Sequence, residues 1–429
     1  MQKGGHRGPC AHLERGGQNS ETRQSSRSPS LLAATLQKHT LALGLGLGLA
    51  RPAATCNGLP FLRDGKAPFR PRAPNSRPCE PSVPDPESAS IWDNEEYRRV
   101  TMAKLVKGVY ELEHRRMVQT SADAEPPARR WWESVNFELV GLQEEEEQRK
   151  KNSHDEEKSI NLAVYRWNSA SPAPPPPQKV VIAVRGTLPR MDDGWHNMHI
   201  PLQRLHETPR YKEIMAAVKS AVATHGSHEV CIVGHSLGAA LGLLVARSLA
   251  VDESVRIESH LFNPVYPYTW VPGPHELIGD EALWSTIRAM RYAATVGLTH
   301  LLVDAETRSS VEAEFLRLQD WTPHIYVNKG DPICRGYWEY FHSHERLARQ
   351  GSLGARVSSM AAPYSTRGLA FRGSKPVHLV PSVVLHLCAG APMDVWTDLG
   401  DYRYFHHNLK NWWTKDLQVQ TRHVRIASW

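Results

Sequence analysis

The sequence predicts an α/β fold, a mostly parallel central sheet flanked by helices, with an N-terminal extension ahead of it. Three observations predict this. Residues 180–184 (VVIAV) and 229–233 (EVCIV) are continuous apolar runs rich in β-branched residues, as expected of strands buried on both faces. Residues 209–224 lie between them and carry helical periodicity, and residues 237–250 follow them as a second helix with small residues on its near face. Strand–helix–strand alternation of this kind argues for a parallel sheet.

The elements follow in chain order. Residues 97–114 place Val100, Leu105, Val109 and Leu112 at helical spacing. Residues 137–142 and 163–167 alternate like strands, and the charge run 144–158 between them reads as a solvated loop. Residues 169–178 (SASPAPPPPQ) form a proline-rich loop, with an SH3-type ligand as the sharper alternative. Residues 257–262 predict a third buried strand, and 323–328 contain a fourth. There are no internal repeats.

The 429 residues, 41% of them hydrophobic, suffice for one large domain with extensions, or for two domains. Residues 1–85 hold twelve Lys/Arg against five acids, so they account for the formal net charge of +6 and leave the rest near neutral. A near-neutral body gives no electrostatic case for nucleic-acid binding. Residues 1–90, rich in Ser, Arg, Pro and Gly, are expected to be a disordered extension or a transit segment, with the folded domain spanning 91–429. The apolar run 41–50 has too few residues to span a bilayer. A cytoplasmic location is expected, or a plastid one if the leader is a genuine transit peptide. The six cysteines are scattered, without a CxxC pair or a Cys/His cluster, which gives no metal-site signal and no disulfide framework.

The chemistry concentrates at Gly234-His235-Ser236-Leu237-Gly238, a G-x-S-x-G match. The match alone is weak, and its flanks give it meaning: a buried strand before it and a small-residue helix after it. A sharp strand-to-helix turn exposes the serine hydroxyl and crowds the residues two before and two after it, so glycine is required there. The helix N-terminus then presents free N–H groups to a developing oxyanion.

With that elbow, the chain resembles the class 3 (fungal-type) lipase family, in particular its plant branch often labelled "GDSL esterase/lipase", within the α/β-hydrolase superfamily. No GDSL block occurs in this chain. The resemblance rests on five blocks in order: 181–187 (VIAVRGT), 234–240 (GHSLGAA), 258–264 (ESHLFNP), 324–334 (HIYVNKGDPIC) and 406–413 (HHNLKNWW). It runs from about residue 91 to 413. It implies Ser236 as nucleophile, Asp331 as triad acid and His407 as base, in the order α/β-hydrolases use. It also implies Leu237 and Thr187 as oxyanion donors.

Alternatives remain at several positions. His406 adjoins His407 and could be the base if the turn is shifted. Asp394 and Asp304 are the backup acids, and an Asp-Pro turn is the rival role for Asp331. His386 reads as a strand residue. Arg185 reads as a structural ion-pair or hydrogen-bond partner beneath the oxyanion loop. Trp412-Trp413 and Trp131-Trp132 read as packing. The 95 residues between Ser236 and Asp331 exceed a minimal class 3 lipase, and the excess is expected as extra helices within 266–321. Residues 188–205 are either a mobile cover or an ordinary connection.

The resulting expectation is hydrolysis of acyl esters, those of lipids foremost, through an acyl-enzyme. No metal or organic cofactor is implied. The expected partner is a lipid or small acyl ester, with peripheral contact to a membrane or lipid surface possible and no nucleic acid. Two rivals use the same fold: a catalytically silent, lipase-like signalling or lipid-binding protein, and an acyl transferase.

Overall fold

Eight strands form one sheet in sequential order: β1 (Phe137–Glu144), β2 (Ile160–Trp167), β3 (Val180–Val184), β4 (Val230–His235), β5 (Glu258–Phe262), β6 (His324–Asn328), β7 (Ser382–Cys388) and β8 (Val419–Arg425). The pairings from β3 to β7 are parallel, and those of β1 with β2, β2 with β3 and β7 with β8 are antiparallel. The computed structural model describes residues 90–119, 130–144, 159–187, 202–267, 281–365, 376–389, 406–414 and 417–426. All belong to a unit spanning Ser76–Trp429; a second unit, Met1–Asn75, lies outside the described residues. So do most of the expected extension 1–90, residues 188–201 of the expected cover, and Asp394.

The helices are α1 (Glu95–Gln119), α2 (Pro209–His225), α3 (Leu237–Asp252), α4 (Glu281–Leu302), α5 (Ala305–Arg317), α6 (Arg335–Ala348) and α7 (Ser352–Ala361). Their boundaries have local causes. Asn94 accepts the Tyr97 N–H at 3.0 Å ahead of α1. Thr208 accepts the Tyr211 N–H at 3.2 Å and is followed by Pro209, whose missing N–H costs nothing in a first turn. Asp304 accepts the Thr307 N–H at 2.8 Å and so serves as the cap of α5.

The sheet is buried on both faces, as the β-branched runs predict. Val180, Ile182 and Val184 point into one core with Ile214 and Val218 of α2 and Leu241 and Val245 of α3. Val181 and Ala183 point into the other, with Leu105, Val106 and Val109 of α1 and with Trp412. Trp132 is buried there too, while Trp131 and Trp413 pack at a tilt, their ring centroids 5.4 Å apart. The proline-rich stretch is a loop between β2 and β3. The excess between Ser236 and Asp331 contains α4 and α5; α4 packs on α6 and α7, and α5 on α3. Among the described residues, no helix is long and apolar enough to cross a membrane.

Burial also leaves neutral imidazoles in the interior. Desolvation pushes His235, His344 and His378 down to about 3. The unfolded chain takes up a proton at each below about 6.5, where the folded chain does not. The folded pKa is depressed, so stability is fully present above pH 6.5 and is lost as pH falls from there toward 3. Thermal unfolding followed by circular dichroism should give a lower Tm at pH 5 than at pH 7.5, and an unchanged or higher Tm would show these histidines already charged in the fold.

Candidate active site

β4 ends at His235 and α3 begins at Leu237, so Ser236 alone makes the turn, with φ 57° and ψ −124°. That backbone conformation is costly for a residue with a Cβ, at about 1–3 kcal/mol. Its surroundings hold it there. The Ser236 N–H donates to the Phe262 carbonyl at 3.0 Å, which extends the β4–β5 ladder into the turn. A Cβ on Gly234 would lie 2.6 Å from the Gly238 carbonyl oxygen, and one on Gly238 would collide with the carbonyls of Val184 and Arg185. Both glycines are therefore required by close backbone approach.

Serine at the N-cap ordinarily bonds the N–H of the first helical turn. Ser236 makes no such bond. Its Oγ turns instead to His407 Nε2, at 2.8 Å. The first-turn N–H groups of α3 are thereby left without a side-chain cap, Leu237 foremost.

Asp331 lies just beyond the C-terminal end of β6 and is fully buried. Its Oδ2 accepts from His407 Nδ1 at 2.7 Å and from Asn263 Nδ2 at 2.8 Å, and its Oδ1 accepts from the Ile333 N–H at 2.9 Å. Burial by itself would raise this carboxyl. The facing imidazole and the hydrogen bonds outweigh burial, and the carboxyl sits below its usual value. The chain ahead of His407 is fastened by two amides: Asn263 Nδ2 and Asn328 Nδ2 both donate to the His406 carbonyl at 3.1 Å. Asn263 holds a positive φ of 45° and accepts from Trp412 Nε1 at 2.5 Å, so the packed indole fixes the amide that orients the acid.

A second layer lies behind the serine. His235 Nε2 must donate to the His407 carbonyl, 2.9 Å away, because a carbonyl only accepts. His235 Nδ1 then accepts from the Tyr110 hydroxyl at 2.8 Å, and the Tyr110 oxygen accepts from the Gly186 N–H at 2.7 Å. The tautomer follows from burial, which keeps His235 neutral, and burial likewise pushes the Tyr110 phenol up to about 12. Arg185, buried, donates to the carbonyls of Ile160 and Gly186 at 2.6 and 2.7 Å and lies 3.5 Å from Glu113 Oε1. That is the structural partner role the sequence predicts for it.

The structure thus brings together Ser236, His407 and Asp331. Of the two adjacent histidines, His407 is the one between serine and carboxylate. Asp304 is engaged as the cap of α5, and His386 is a buried residue of β7. Leu237 is the first residue of α3, and Thr187 is exposed, three residues after the end of β3. Sequence reasoning missed Tyr110, Glu113 and Asn263. Tyr110 lies beside the apolar stripe of its helix, 125 residues from its partner His235, and nothing local marks it.

Replacing Tyr110 with Phe leaves the Gly186 N–H and His235 Nδ1 without their shared partner. The loss of a buried bridging hydroxyl should cost about 1–3 kcal/mol. Denaturant unfolding of the Tyr110→Phe variant should show that loss, and a stability equal to the parent's would mean the bridge is not made.

The chain is also similar to known proteins. Residues 177–267 match the family model described as Lipase (class 3). That span holds β3, β4, α3 and β5, with Ser236, Leu237 and Thr187, but ends before Asp331 and His407. An Arabidopsis thaliana protein named GDSL esterase/lipase is 29% identical over 348 residues, covering 77% of this chain and 93% of the relative. Among solved structures, a thermostable esterase from Pseudomonas putida is 13% identical, covering 58% of this chain and 82% of its own, with a TM-score of 0.27. A fungal esterase from Rhizomucor miehei is 13% identical, covering 75% of this chain and 97% of its own, with a TM-score of 0.26. Such TM-scores carry no weight, so the fold rests on the sheet topology above.

Proposed function

We propose that this chain, which carries a class 3 lipase segment, is a serine hydrolase that cleaves carboxylic esters of lipids through an acyl-enzyme. One observation carries the reading: His407 bridges Ser236 Oγ at 2.8 Å and Asp331 Oδ2 at 2.7 Å. A serine hydroxyl is a weak nucleophile until a base takes its proton. Nδ1–H bonded to Asp331 leaves the lone pair of His407 on Nε2, facing the hydroxyl.

The steps follow from that order. Ser236 Oγ attacks the ester carbonyl carbon while its proton passes to His407 Nε2. The buried Asp331 carboxylate stabilises the imidazolium that forms. The carbonyl oxygen takes up negative charge and is met by the Leu237 N–H at the uncapped start of α3, with Thr187 as the second donor. Each such donor contributes about 3 kcal/mol to the transition state. His407 returns its proton to the departing alcohol, leaving Ser236 acylated. Water, activated by the same imidazole, then releases the carboxylic acid and restores the serine.

The relative's name, esterase/lipase, supports an acyl ester substrate, and the class 3 lipase segment supports a lipid one. The intact constellation disfavours a silent, lipase-like role. With p-nitrophenyl butyrate, Ser236→Ala should abolish turnover while retaining the parent's Tm. Asp331→Asn should lower kcat by roughly 10⁴-fold, since an amide cannot hold the reactive tautomer. A Ser236→Ala variant that is folded and still turns over at the parent's rate would sink the proposal.

A further inference from the structure

At the opposite edge of the sheet from Ser236, the first residues of β5 and β6 bring Glu258, His260 and His324 together, their candidate ligand atoms all within 4.8 Å of one another. We propose that these three side chains form a site for a divalent transition-metal ion of borderline softness, Zn²⁺ in particular, bound through His260 Nε2, His324 Nε2 and Glu258 Oε1.

The hydrogen bonds around the cluster have a forced direction. Thr421 donates its single hydroxyl proton to Glu95 Oε2 at 2.6 Å. Its oxygen therefore accepts from His386 Nδ1, 3.1 Å away. His386 Nε2 is then a bare lone pair and accepts from His324 Nδ1 at 2.9 Å. This leaves the lone pair of His324 on Nε2, and Nε2 faces Glu258 Oε1 at 3.5 Å. Two electron-pair donors thus oppose each other in a poorly solvated place, an arrangement that a cation between them stabilises.

His260 supplies an independent observation. Its side chain is 1% exposed and its Nε2 has no hydrogen-bond partner among the described residues, although Glu258 Oε1 lies 3.2 Å away. Its Nδ1 is engaged by the Tyr326 hydroxyl at 2.9 Å. Both imidazoles thus have an outer partner at Nδ1, as metal-bound histidines commonly do, and both bring Nε2 close to one carboxylate. Ligation at about 2.0–2.1 Å to nitrogen and oxygen needs ligand atoms roughly 3.3 Å apart. Glu258 Oε1 already stands at 3.2 and 3.5 Å from the two nitrogens. Only the two stacked rings, 4.6 Å between centroids, must turn toward each other.

The donor set selects the ion. Two neutral nitrogens and one oxygen suit zinc and disfavour Ca²⁺ and Mg²⁺, which want oxygen ligands. The Glu258 side chain is 27% exposed, which gives an ion entry and leaves room for water as a fourth ligand. Bound there, the ion joins β5 to β6 at the edge away from Ser236.

The test is equilibrium dialysis of the chelator-stripped full chain against micromolar ZnCl₂, with bound metal counted by mass spectrometry, followed by Co²⁺ loading and visible absorption. The parent should hold one more zinc than Glu258→Gln and His324→Gln, each binding that zinc at least tenfold more weakly. The parent's Co²⁺ form should show the d–d bands of a four-coordinate site, absent from both variants. Far-UV circular dichroism checks that each variant is folded; if neither is, the parent's cobalt spectrum decides. Equal zinc in parent and variants, or a parent cobalt spectrum of the free aquo ion, overturns the site.

Discussion

The architecture around the site depends on one backbone constraint, the positive φ of Ser236 between a buried strand and a helix. In that conformation the serine cannot cap its own helix. Its hydroxyl is free to meet His407, and the N–H groups it would have capped are left open for an oxyanion. Strain at one residue thus places both the hydroxyl that meets His407 and the uncapped N–H groups beside it. The fold holds the strain by ordinary means: the Ser236 N–H remains in the sheet ladder, and two glycines admit the neighbouring carbonyls.

The other two groups come from sequence positions far from the elbow, and their placement relies on polar side chains in the core. Asn263, on the loop after β5, touches the Asp331 carboxylate, the chain ahead of His407 and the Trp412 indole at once. His235 and Tyr110 tie the main chain of His407 to that of Gly186, and so link His407 to the loop that holds Thr187. A chemically inert histidine beside the serine is explained by this bridging; its neutrality is what lets it donate to one carbonyl and accept from one hydroxyl.

Much of this was legible in the sequence where a local pattern carried it. The runs VVIAV and VCIV mark strands buried on both faces, and small residues after Ser236 mark a helix pressed to the sheet. Separate sequence blocks pointed to Ser236, Asp331 and His407, and the fold brings these three together. Other features left no local trace. The edge strand β8 is only partly buried and carries Arg422, His423 and Arg425, so it has neither an apolar run nor a clean alternation. The amphipathic α6 is rich in aromatic and charged residues and follows directly on a loop with no capping side chain. The scattered histidines gave no metal-ligand spacing, because Glu258 and His260 meet His324 only through the parallel pairing of β5 with β6. Tyr110 meets His235 only through packing of α1 across the sheet.

The two edges of the sheet therefore differ in kind. The C-terminal ends of β4 and β6 carry Ser236 and Asp331, which His407 bridges, while the N-terminal halves of β5 and β6 carry imidazoles and a carboxylate. The central claim concerns the first edge, that one hydroxyl among all the serines of this chain is activated. Reaction of the native protein with a fluorophosphonate, followed by peptide mapping by mass spectrometry, measures this directly. A single phosphonyl adduct on Ser236, lost when the protein is unfolded beforehand, is the predicted result; an adduct on another residue, or none at Ser236 in the folded protein, would contradict it.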